Sequence, residues 1–162
     1  MAVFCGKEEQ FASAYKRNAD MLYRIALSYL SRSHDAEDAC QEAFAKYIAS
    51  PPPFINENAE KAWLIRVTVN CCKDMLRRRR LRDHAPLDDA MELSYTDEPL
   101  SEVTSLLSSI SVKNRSVVIL HCLEGFSVEE SAKLLGISVS AAKMRLLRGR
   151  EELRAYQNKE ED

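Results

Sequence analysis

Glycine is scarce in this chain, with four residues in 162, at positions 6, 125, 136 and 149. So few and so scattered, they leave no glycine-rich phosphate loop and no dinucleotide-binding fingerprint. No apolar run approaches the roughly 20 residues needed to cross a bilayer, and the first residues carry no signal-peptide core. The expectation is a cytoplasmic protein without membrane insertion. Five cysteines, at 5, 40, 71, 72 and 122, form neither a CxxC pair nor a zinc spacing. They are expected to be reduced packing residues, and nothing elsewhere supports a redox role for the adjacent Cys71 and Cys72. Paired catalytic carboxylates, a nucleophile elbow and a metal-binding constellation are missing as well. An enzyme is therefore not expected, nor a cofactor, a metal or a small-molecule substrate.

What is present is a helical, charge-segregated chain. Hydrophobic residues make up 46% and charged residues 30%, enough apolar surface for a core. The net charge of -2 hides its distribution. Between Lys61 and Arg82 eight basic residues face Asp74 alone, whereas Asp83 to Glu102 holds seven acidic residues and no lysine or arginine. What an anionic partner meets is the local field, which decays over about 8 Å at physiological salt.

The stretch from Gly125 to Arg154 reads as a helix-turn-helix. Ser127 and Glu130 have capping-box spacing, and Val128, Ala132 and Leu135 supply a buried stripe. Gly136 suits a left-handed helix end, Ile137 plugs the turn, and Ser138 caps a second helix. In that helix Val139, Ala142, Leu146 and Leu153 keep one face in a core, while Ser140, Lys143, Arg145, Arg148 and Arg150 spread over the rest. Such a helix suits the major groove; the alternative is a helical hairpin with a solvated basic face.

Upstream, apolar residues from Phe11 to Leu30 repeat at helical spacing, as two helical pieces. A helix over about 35–50 carries Ala36, Ala39, Cys40, Ala43, Phe44, Tyr47 and Ile48 on one face and Asp35, Asp38, Gln41 and Glu42 on another. The acidic residues suit the helix dipole, and the whole surface equally suits a basic partner helix. Pro51 to Pro53 end it. In the loop Phe54 to Asn58, Phe54 either pins the loop to the core or offers a stacking surface to an unpaired base. A long helix over about 59–81 follows. Its apolar residues, Trp63 among them, leave one polar stripe, Arg66, Asn70, Lys73, Arg77 and Arg80. Five arginines among residues 77–82, Arg78 included, exceed what a helix end needs and point to phosphate contacts. Residues 83–100 lose helical periodicity and contain Pro86 and Pro99. A segment that long implies two small helical domains, 1–82 and 101–162, with an acidic, flexible join. Val103, Leu106, Leu107 and Ile110 form one further helix, and Val117 to His121 a second ending near Gly125, with His121 packed in the core. The tail from Gln157 is expected to fray.

Three blocks resemble the sigma-70 family of bacterial transcription initiation factors, in its short extracytoplasmic-function branch. They are DAEDACQEAFAKYI, AWLIRVTVNCCKDMLRRRR and the helix-turn-helix with LGISVSAAKMRLLRGREEL, in the family's order. The resemblance implies an all-α fold with region 2 at 1–82, a linker at 83–100 and region 4 at 101–162. It makes Asp35, Asp38, Gln41 and Glu42 the docking surface for core RNA polymerase. The loop Phe54 to Asn58, with Asn70 beneath it, would capture a flipped base of the downstream promoter element, with Trp63 as support and Arg66, Lys73, Arg77, Arg78, Arg79 and Arg80 on phosphates. Ser140, Lys143, Met144, Arg145, Leu147 and Arg148 would read the upstream element. Promoter DNA, core polymerase and an anti-sigma factor are the implied partners.

The sequence departs from the family pattern around Lys143, with Ala141 and Ala142 where Thr-Val is usual and Met144 where Ser is usual; the hydroxyl lost at Met144 implies an altered upstream element. Gly149 replaces a usual alanine, at about 1 kcal/mol of helix propensity unless close packing requires it. Two other readings fit parts of the chain: a stand-alone helix-turn-helix regulator, and a sigma-like protein that only occupies an anti-sigma factor. The acidic linker is expected to discourage DNA binding before polymerase is engaged.

Overall fold

The computed structural model describes the backbone of residues 2–83 and 102–161 and the side chains of 6–83 and 105–161. The acidic join, apart from Asp83, lies outside the described residues. Seven α-helices and one π-helical turn make up the described fold: α1 Ala2–Leu30, α2 Ser33–Ala49, α3 Glu57–Asp83, α4 Glu102–Ser108, α5 Val112–Val118, the π turn Ile119–Leu123, α6 Val128–Leu135 and α7 Val139–Glu161. Among the described residues there is no strand, and no helix is long and apolar enough to cross a membrane.

The first helix is one piece, not two. The polar residue that interrupts its pattern, Asn18, is buried and donates from Nδ2 to the Ala14 carbonyl at 2.9 Å, so its amide is satisfied within the helix. Ser31, with φ at 63°, then turns the chain into α2. The prolines end α2 as expected, but Ile48 is 61% exposed, beyond the reach of the core face assigned to it. Asn56 Oδ1 accepts from the Ala59 N–H at 2.8 Å and starts α3 two residues earlier than the periodicity suggests.

Helices α1, α2 and α3 pack mutually, and α7 packs against α5 and α6. Helix α1 also meets α5, and α3 meets α6, so one apolar cluster runs from Leu22, Ile25, Phe44 and Leu64 through to Val117, Leu120, Leu135 and Leu146. A second cluster, with Ala26, Leu30, Ala39, Cys71 and Cys72, fills the other end of the α1–α3 bundle. Burial pushes the Cys40 thiol up to about 12 and raises Cys71 and Cys72 for the same reason, which keeps all three neutral packing groups. Cys122, by contrast, is exposed.

The helix-turn-helix forms as its capping chemistry dictates. Ser127 Oγ accepts from the Glu130 N–H at 3.0 Å, and the Ser127 N–H donates to Glu130 Oε2 at 2.8 Å, completing the capping box. Gly136 is left-handed at φ 67°, the Ile137 N–H donates to the Ala132 carbonyl at 3.0 Å, and Ser138 Oγ caps the Ala141 N–H at 3.1 Å. Val139 is 38% exposed, at the mouth of the motif and not in its core. Gly149 is buried, and a Cβ there would lie 2.7 Å from Val118 Cγ2, so close packing of α7 on α5 does require glycine. The tail continues α7 as far as Glu161.

Candidate nucleic-acid interface

Three surfaces carry the residues singled out from sequence. On α2, Asp38, Gln41 and Glu42 are exposed, with Asp38 3.5 Å from His34 and Glu42 3.4 Å from Lys46. Gln41 borders a groove of about 550 Å³ between α1 and α2, lined by Phe11, Tyr15 and Phe44. Asp35, in the first turn of α2, behaves differently, because it accepts from the Arg79 guanidinium and only 21% of its side chain is exposed. Lys46 also approaches Cys71 Sγ at 3.6 Å, closing that thiol beneath the face.

On α3, Arg66, Asn70, Lys73, Arg77, Arg78 and Arg80 are exposed as one helix face and its basic end. Arg79 is the exception in the arginine run, since it turns inward to Asp35. Arg77 bonds Asp74 at 3.1 Å on the helix surface. Lys73 donates from Nζ to the Leu135 carbonyl at 2.7 Å, and burial, with Arg145 nearby, lowers its pKa. Arg66 lines a cleft of about 400 Å³ that also contains Lys61, Glu124 and Lys133.

The loop before α3 is held by aromatic packing. Phe54 stacks on Tyr47 with centroids 6.0 Å apart and planes at 10°, and meets Trp63 edge-on at 5.7 Å. That arrangement pins the loop, and it leaves the neighbouring Ile55, 90% exposed, as the apolar side chain at the tip. Beneath it, Tyr47 Oη donates to Glu60 Oε2 at 2.9 Å, and Arg17 donates to Glu60 Oε1 at 2.6 Å. Glu60 is 5% exposed and ties α1, α2 and α3 together under the aromatic cluster. Sequence reasoning passed over it, as it passed over the Arg79–Asp35 pair, because each joins residues on different helices, 13 to 44 positions apart.

On α7, Ser140, Lys143, Met144, Leu147 and Arg148 are exposed on a common side, while Ala142, Leu146 and Gly149 face the core. Arg145 is half-buried and lies close enough to Lys73 and Tyr29 to bear on their ionisation. The exposed side therefore presents a lysine, an arginine and two apolar contacts around a small polar residue, a set that fits base edges and thymine methyls in a major groove.

The described helices thus present an acidic face on α2, a basic stripe on α3 beside an aromatic-pinned loop, and a capped helix-turn-helix. The family model of sigma-70 region 2 matches residues 14–82, and that of sigma-70 region 4 matches residues 100–153. The extracytoplasmic-function RNA polymerase sigma factor SigE of Mycolicibacterium smegmatis is 34% identical over 152 residues, covering 87% of this chain and 59% of the relative. SigM of Mycobacterium tuberculosis is 30% identical over 151 residues, covering 91% of this chain and 77% of the relative. Among solved structures, the sigma factor RpoE of Bartonella quintana, in complex with the anti-sigma factor NepR, superposes with a TM-score of 0.67 at 23% identity, covering 93% of this chain and 98% of that one; it shows the shared fold. The chain belongs to the sigma-70 family of RNA polymerase sigma factors, in its extracytoplasmic-function branch. A region 2 match leaves the stand-alone regulator without support, since that reading gives the α2 face no purpose.

Proposed function

We propose that the chain is a cytoplasmic sigma factor with no catalysis of its own, which binds core RNA polymerase and directs it to initiate at a specific set of promoters. Residues 1–82 form region 2, 83–100 the linker and 101–162 region 4. Asp38, Gln41 and Glu42, with Asp35 at their edge, dock on polymerase, and the apolar groove beside Gln41 receives part of the partner helix. Phe54, Trp63 and Asn70 frame the site for an unpaired base of the downstream element, while Arg66, Lys73, Arg77, Arg78 and Arg80 hold phosphates. Ser140, Lys143, Met144, Arg145, Leu147 and Arg148 read the upstream element. Binding to polymerase fixes the two regions at the separation of the two elements, so that two weak contacts act together through effective concentration. An anti-sigma factor is the regulatory partner that the family resemblance supports.

The observation that carries this reading is the separation of two exposed surfaces on one bundle, acidic on α2 and basic on α3, in a chain that also presents a recognition helix. Run-off transcription with core polymerase on a genomic promoter library tests it, beside a chain carrying Asp38→Ala and Glu42→Ala. Specific initiation that the double variant loses is the expected result. No initiation from a correctly folded chain that binds an anti-sigma factor tightly would replace this reading with that of a decoy.

A further inference from the structure

The loop assigned to base capture rests on a ring that belongs to another helix. Tyr47 of α2 stacks on Phe54 at 6.0 Å and meets Trp63 edge-on at 6.2 Å, so the three rings form one cluster. Ring contacts of this kind are favourable over a range of offsets and tilts, and by themselves they leave the height of Phe54 loosely set. A hydroxyl adds a direction. Tyr47 is 3% exposed, and its Oη donates to the carboxylate of Glu60, itself 5% exposed. Glu60 also reaches the loop through its backbone, since its N–H donates to the Asn56 carbonyl at 3.2 Å. One residue in the first turn of α3 thus holds both the ring beneath the loop and the loop's far side, and Arg17 of α1 holds that residue in turn. A buried ion pair often stabilises a fold no more than well-packed apolar side chains of similar volume, so stability is a weak reason for a carboxylate here.

We propose that Glu60 is a positioning residue for base capture: through Tyr47 and Asn56 it sets the height and tilt of the loop Phe54 to Asn58, and with them the shape offered to an unpaired base of the downstream element. This rests on the sigma-factor reading above. Glu60 is buried and touches no DNA, whereas Ile55 and Asn56 are exposed at the outer side of the loop it holds. Reading a base demands that the contacting groups stay within about 0.5 Å of their places, and a loop free to tilt discriminates less than one that is held.

The test uses the full chain bound to core polymerase and a pool of short single-stranded DNA randomised over the downstream element, sequenced after binding. Wild type is compared with Glu60→Leu, Tyr47→Phe and Glu60→Gln. Glu60→Leu keeps an apolar volume in the bundle and leaves Arg17 to Glu57, 3.7 Å away, so its Tm should stay close to that of the wild type. Tyr47→Phe keeps the ring and removes only the hydroxyl, and it carries the same comparison should Glu60→Leu not fold. Glu60→Gln keeps an acceptor for Tyr47. The expected result is that enrichment of the preferred base at one position falls about three- to tenfold in Glu60→Leu and Tyr47→Phe and is kept in Glu60→Gln, with affinity for core polymerase unaltered. Wild-type enrichment in both Glu60→Leu and Tyr47→Phe, whatever their Tm, would overturn the positioning role and leave the sigma-factor reading standing. A wild-type complex that enriches no base at any position overturns that reading, and the role of Glu60 with it.

Discussion

The guanidinium of Arg79, in the middle of an arginine run, turns away from solvent and meets the carboxylate of Asp35 in the first turn of α2. With 20% and 21% of their side chains exposed, the two form a tether between the basic end of α3 and the start of the acidic face. Neighbouring arginines in one run therefore have different work. Arg79→Ala should lower stability by about 1–2 kcal/mol, a fall in Tm of about 3–8 °C, because it leaves the half-covered Asp35 without its cation. Arg78→Ala, at an exposed position, should leave Tm within a degree or so and weaken promoter binding, with a smaller salt slope. Equal Tm losses in the two variants would refute the division.

Gly149 and Val118 make a second pair of complementary shape. A methyl group at 149 meets Val118 Cγ2 at 2.7 Å, with Asn114 Cβ and Ile110 Cγ2 also within 3.6 Å. Gly149→Ala gains about 1 kcal/mol of helix propensity and loses about 1–3 kcal/mol to overpacking, so the net effect should be destabilising by about 1 kcal/mol. Combined with Val118→Ala, the cost should be less than the sum of the single changes, read as a coupling in a double-mutant denaturation cycle. Additive costs would mean that the contact is not the reason for the glycine.

Met144 is 47% exposed on the face of α7 assigned to the upstream element. It has no hydroxyl to offer a base edge, so Met144→Ser should restore a donor and move preference at one base pair by about 1–3 kcal/mol, or about 5- to 150-fold. Binding selection from a randomised upstream element should show the change at one position, with affinity for core polymerase unaltered. An unchanged selected sequence would remove Met144 from the reading set.

Local chemistry was the legible part. Capping residues, the left-handed glycine and the apolar period placed the helix-turn-helix and α3 within a few residues, because those signals act between neighbours in the chain. The expected two pieces are a single helix α1, in whose middle the buried Asn18 is satisfied by the turn before it. Ile48 and Val139 share the core face's period yet sit at helix ends, where the neighbouring element no longer covers that face. The inward turn of Arg79, the buried Glu60 and the enclosure of Glu124 depend on partners 13 to 100 positions away on other helices, and periodicity carries no information about those. The arginine run reads from sequence as phosphate contacts throughout, and nothing local marks Arg79 as the one that turns to Asp35.

The π turn at Ile119–Leu123 is where the chain's phase is set. Its wider ring adds a residue to a helix that would otherwise continue α5, and each residue of an α-helix advances the side chains by about 100°. Removing one residue from 119–123 would convert that turn to ordinary α-helix and rotate everything after it against everything before. Glu124 would then point away from its partners Arg24 and Lys61, and the recognition helix would present another side. A mutational scan that tolerates substitutions at the exposed Cys122 and Leu123 should thus still reject shortening of the turn, for the spacing is a dial and its setting is a count of residues.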